Sequence, residues 1–137
     1  MRKNLITVCV PQLRSLGARS VTCHFLAKAR LLDVFNTWEH NGLLDLVHTW
    51  DGMFSPRFVR QRGTEARRVA TCKTLGPSHL SKHALGMAFD INAKEHPLGS
   101  ELPPDCPFHQ LIPVAKNCGW SNGGSFTRRD FMHFEYT

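Results

Sequence analysis

Ser81-Lys82-His83-Ala84-Leu85-Gly86-Met87-Ala88-Phe89-Asp90 sets an imidazole and a carboxylate seven residues apart, across a glycine-containing turn that leads into an apolar run. Both side chains are good ligands for Zn²⁺, and a catalytic zinc takes three protein donors while keeping a fourth position for water. A third donor must therefore come from elsewhere in the chain. His133 is the candidate, embedded in the aromatic segment at residues 131–136. Gly86 stands where the turn becomes a strand, a place for an unusual backbone conformation or a close approach behind the metal.

Outward from that stretch, residues 87–91 read as a strand. Residues 131–136 read as another, with Phe131, His133 and Glu135 facing one way and Met132, Phe134 and Tyr136 the other. Upstream, Ala27, Leu31, Val34, Phe35 and Trp38 recur at steps of three and four, the spacing of an amphipathic helix that Asn41-Gly42 closes. Residues 43–50 are expected to form a strand through Leu44, Leu46 and Trp50, with a turn at Asp51-Gly52. Residues 55–82, rich in Arg, Gly, Ser and Thr, read as a long functional loop. Four prolines exclude regular helix or central strand across 95–107. A short helix is expected at 111–118, with Pro113 in its first turn and Gly119 at its end.

A chain of 137 residues with 42% hydrophobic and 20% charged residues can bury a core of its own, so residues 1–137 are read as one domain and a monomer. Seventeen basic against eleven acidic residues give a net charge of +6, which favours an anionic partner. Much of that charge lies in Arg57, Arg60, Arg62, Arg67, Arg68 and Lys73. The aromatic and glycine pattern of nucleic-acid motifs is missing, so no specific nucleic acid is expected. Five cysteines without a CxxC spacing suggest reduced thiols rather than a disulfide framework or a cysteine-rich zinc site. The apolar run near the start is too short for a signal peptide, and no stretch approaches a membrane span.

Ser81, His83, Gly86, Ala88 and Asp90, followed downstream by Gly119-Trp120, Gly123-Gly124, Asp130 and His133-Phe134-Glu135, resemble the D-alanyl-D-alanine carboxypeptidase and L-alanyl-D-glutamate endopeptidase family of zinc peptidases, to which many phage endolysins belong. The helix from Ala27, Gly42-Leu43 and the string from Asp51 to Arg57 with Arg60 and Gly63 extend the resemblance over residues 24–136. It implies an α+β fold in which a small antiparallel sheet carries the ligands and helices pack on one side, as in the hedgehog-like peptidases. It also implies that His83, Asp90 and His133 bind zinc, that Asp130 is the catalytic base, and that Arg57 or Arg60 polarises the substrate carbonyl. The substrate would be a peptidoglycan stem peptide. Made in the cytoplasm, the enzyme would act on the wall or in the periplasm, after phage-mediated release if it is a lysis enzyme.

Strand alternation alone nominates Glu135, not Asp130, as the carboxylate beside His133. The resemblance favours Asp130, which a turn through Gly123-Gly124 and Arg128-Arg129 could swing over the metal, leaving Glu135 to orient a ligand imidazole. Ser81 is expected to shape its loop or touch substrate, and Trp120 and Phe126 to line a cleft or join the core. His79 with His83, or Cys72, would be rival ligands. The alternative to an enzyme is a zinc-binding interaction module without turnover.

Overall fold

The computed structural model describes residues 2–55 and 81–137, and most of the stretch read as a long loop lies outside them. The described chain is α+β with two antiparallel sheets. β1 (Leu5–Val8) pairs with β2 (Val21–His24), and α1 (Lys28–His40) follows. β3 (Trp50–Gly52), β4 (Ala88–Ile91), α2 (Leu111–Asn117), β5 (Trp120–Gly123) and β6 (Asp130–Tyr136) complete the order. The second sheet runs β3-β4-β6-β5, all neighbours antiparallel. Among the described residues, no helix is long and apolar enough to cross a membrane.

The helical periodicity is realised as α1, whose Leu31, Val34, Phe35 and Trp38 are all at 0% exposure. Its end follows from Asn41 and Gly42, whose N–H groups turn back to the Thr37 and Glu39 carbonyls, with Gly42 at φ 72°. Residues 43–50 do not form the expected strand. They hold a 3-10 turn (Leu44–Leu46), and Asp51-Gly52 belongs to β3 instead of making a turn. The reason sits far along the chain, in Asn92. Its side-chain oxygen accepts from the N–H groups of His48 (2.7 Å) and Thr49 (3.2 Å), and its amide donates to the Leu46 carbonyl at 2.8 Å. Backbone groups that a ladder would use are satisfied by one buried amide, so the segment curls around it. The two-stranded sheet at the start of the chain was likewise not anticipated.

The larger sheet has two chemically different faces. Phe89 and Phe134 stand opposite each other on β4 and β6, both at 0% exposure, with their rings stacked at 5.3 Å. Trp38 from α1 meets both rings edge-on at 6.2 and 5.8 Å, and its indole N–H donates to the Leu111 carbonyl at the start of α2. The helices thus pack on the aromatic face. By alternation, Ala88, Asp90, His133 and Glu135 point to the other face, and Asp90 lies directly across from His133.

Trp38 joins both helices to the sheet, so Trp38→Ala should lower unfolding free energy by about 3–5 kcal/mol, the range for emptying a large aromatic site. Urea titration checks this; a loss under about 1 kcal/mol would mean that the aromatic face is not what holds the helices.

Candidate metal centre

His83 enters the site on a 3-10 turn (His83–Leu85) shaped from both ends. On the near side, the Ala84 N–H lies 3.0 Å from the Ser81 carbonyl and 3.1 Å from its hydroxyl oxygen, so Ser81 shapes the turn. On the far side the turn closes on Gly86 in a left-handed conformation, φ 69°. A Cβ at Gly86 would lie 2.6 Å from the His24 nitrogen and 3.0 Å from the Cys23 carbonyl carbon. That contact is used: the His24 N–H donates to the Gly86 carbonyl at 2.9 Å. The small sheet is thereby tied to the turn that carries His83.

Three donor atoms converge. His83 Nε2 lies 3.1 Å from Asp90 Oδ1, His133 Nδ1 lies 3.2 Å from the same oxygen, and the two ring nitrogens are 3.2 Å apart. All three residues are buried, at 4%, 8% and 8% exposure. The outer ring nitrogens are committed elsewhere. His83 Nδ1 sits 2.7 Å from the Met53 carbonyl, which can only accept, so Nδ1 carries the proton and Nε2 is the nitrogen offered to the cluster. His133 Nε2 likewise donates to Glu135 Oε1 at 3.0 Å and offers Nδ1. Both imidazoles are oriented by an oxygen behind them, the usual support of metal-binding histidines.

The donors suit zinc in kind and in spacing. A tetrahedral zinc with ligands at about 2.0–2.1 Å requires ligand atoms roughly 3.3 Å apart, and the three edges here are 3.1, 3.2 and 3.2 Å. Among the described residues, this is the one group of three His, Cys, Asp or Glu side chains placed to share an ion.

Without a metal the cluster holds itself together by charge. Burial works to raise the Asp90 pKa, but its contacts with His133 and His83 outweigh it and bring the carboxyl to about 2. Burial also opposes a charge on His133, yet its bonds to Asp90 and Glu135 raise its pKa to about 9. Glu135 is held low, chiefly by its bond to His133.

The remaining site expectations fall out as follows. Asp130 is the first residue of β6, opposite Gly123 of β5. Phe126 is 39% exposed, with its ring 5.7 Å from that of His133, and so borders the cluster. Trp120 lines no cleft: it is 1% exposed, packed edge-on to Phe89, and donates its indole N–H to the Arg30 carbonyl. Arg57, Arg60, Cys72 and His79 lie outside the described residues. Two partners went unforeseen. The Met53 carbonyl is a backbone atom and leaves no mark in sequence; Asn122, an amide on β5 just before Gly123-Gly124, did leave one.

A three-donor cluster of two imidazoles and a carboxylate on a small antiparallel sheet defines a candidate centre of the kind that catalytic zinc uses. Residues 75–136 match the family model described as D-alanyl-D-alanine carboxypeptidase, so this segment is similar to that family. The match covers the later part of the resemblance, and residues 24–74 lie outside it. No curated protein matches the chain.

The pH dependence follows from the same contacts. A His133 pKa raised from 6.5 to about 9 stabilises the metal-free fold fully below about pH 6.5, and the effect is lost as pH rises through 9. An Asp90 pKa lowered from 3.8 to about 2 stabilises above 3.8, and that is lost as pH falls through 2. The two shifts describe one interaction, so the chelated protein should melt highest between about pH 4 and 6.5 and lower toward pH 9. Zinc must displace the His133 proton, so its affinity should rise over the range in which the chelated protein weakens. Melting curves with and without chelator test this; a chelated protein as stable at pH 9 as at pH 6 would contradict it.

Proposed function

We propose that the protein is a single-domain, zinc-dependent peptidase that hydrolyses a peptide bond in the stem peptide of peptidoglycan, either D-Ala-D-Ala or L-Ala-D-Glu. The observation that carries the reading is the near-equilateral triangle of His83, Asp90 and His133 donor atoms, spaced as a tetrahedral zinc needs them. The match of residues 75–136 to the D-alanyl-D-alanine carboxypeptidase model supports the substrate class. The net charge of +6 suits an anionic cell wall.

In this reading His83, Asp90 and His133 hold Zn²⁺, which when bound polarises the scissile carbonyl and acidifies water. Glu135 accepts from His133 Nε2 and keeps the ring in the tautomer that presents Nδ1, as the Met53 carbonyl does for His83. Glu135 has its carboxylate engaged there, and the family resemblance puts the base at Asp130. Asp130 takes a proton from the attacking water and returns it to the leaving amine, a single carboxylate serving in both directions. Arg57 or Arg60 would stabilise the oxyanion as an always-charged donor. Phe126, beside His133, offers an exposed apolar wall for the peptide.

The division of labour between the two carboxylates is testable. Asp130→Asn should cut turnover at least ~100-fold with zinc content retained, because a general base is worth roughly 10²–10⁴. Glu135→Gln should instead weaken zinc binding by about 10–100-fold. Mass spectrometry of digested peptidoglycan reads turnover and identifies the bond, and chelator competition reads the metal. Turnover that survives Asp130→Asn but is lost in zinc-loaded Glu135→Gln would reverse the assignment. Zinc-loaded protein that releases nothing from any wall preparation would make the chain a binding module.

A further inference from the structure

The edge between β5 and β6 does not run in simple register. Trp120, Ser121 and Asn122 stand opposite Tyr136, Glu135 and Phe134, but the next residue, Gly123, stands opposite Asp130. One step on β5 thus corresponds to four on β6, and Phe131, Met132 and His133 form a bulge with no β5 residue across from them. The base candidate Asp130 stands just before this bulge, and the metal-binding candidate His133 is its last residue. Such an irregularity breaks the alternation that would otherwise separate positions 130 and 133, and re-aiming a side chain is a common use of bulges.

The bulge is pinned by one side chain. Asn122 is 8% exposed, and its amide nitrogen donates to the Phe131 carbonyl at 2.8 Å and reaches the His133 carbonyl at 3.3 Å. Its oxygen accepts from the Gly124 N–H at 2.8 Å, which closes the turn that leaves β5. The glycines leave room for the arrangement: a Cβ at Gly123 would lie 2.5 Å from the Asp130 carbonyl oxygen, and one at Gly124 would overlap the Phe131 ring. Donors and acceptor are matched to three backbone groups that only an amide side chain satisfies together.

We propose that Asn122 is the positioning residue of the metal centre: by clamping the bulge it fixes the backbone of His133, and so the place of Nδ1 relative to His83 and Asp90. The inference rests on the zinc reading above. Asn122→Leu removes all three hydrogen bonds, whereas Asn122→Asp keeps the acceptor for Gly124 and removes both donated bonds.

The test is zinc affinity by chelator competition on the full chain, with turnover measured alongside. Both variants should raise the zinc Kd about 10–100-fold, the usual cost of losing support behind a ligand. Leu13→Ala, a truncation at a site of 0% exposure far along the chain, should lower the melting temperature and leave Kd unchanged. Folded Asn122 variants with the wild-type Kd would overturn the inference and leave the zinc reading intact. It would be overturned equally if Leu13→Ala shifts Kd as much, or if neither Asn122 variant folds, since the residue would then serve the fold at large. Wild-type protein that takes up no zinc would remove the metal reading itself, and the inference with it.

Discussion

Two ring nitrogens and a carboxylate oxygen within 3.2 Å of one another are not a stable arrangement unless their surroundings restrain them. Lone pairs aimed at a common point repel, and burying an unpaired carboxylate is costly. Here the restraint is built from outside the cluster. The Met53 carbonyl and the Glu135 carboxylate take the outer protons of the two rings, which aims the inner nitrogens at Asp90. A proton held on His133 balances Asp90 when no cation is there, and a cation would take over that balance.

The sheet makes this possible by separating two tasks. One face of β4 and β6 carries Phe89 and Phe134 into the aromatic core beneath α1, and the alternate residues carry Asp90 and His133 to the opposite side. Rigidity bought by the core is thus available one residue away, at the ligands. His83 comes from a turn rather than a strand, and it is braced by Ser81 before it and by the Gly86–His24 contact after it. The small sheet, remote from the ligands in sequence, takes part in the centre through that contact.

What could be read from the sequence follows the range of the interactions. α1 was legible because its apolar spacing and its Asn41-Gly42 end lie within the helix itself, and β4 and β6 were legible from their apolar and alternating patterns. His83, Asp90 and His133 stood out as metal-binding residue types in apolar surroundings. Residues 43–50 were misread because Asn92, more than forty positions away, takes the hydrogen bonds a strand would need. Trp120 was ambiguous for a different reason: an aromatic residue between glycine and serine looks the same at a cleft as in a core, and only packing against Phe89 decides it. The rivalry of Asp130 and Glu135 came from assuming unbroken alternation, which the bulge at Phe131–His133 does not obey.

The central claim is that these three side chains share one zinc ion, and X-ray absorption at the zinc edge of the loaded protein addresses it most directly. The account predicts a four-coordinate shell of nitrogen and oxygen at about 2.0–2.1 Å, with the outer-shell scattering of two imidazoles and no sulfur. His133→Ala should reduce that imidazole signal to one. A sulfur shell near 2.3 Å, or a spectrum that His133→Ala leaves unchanged, would contradict it.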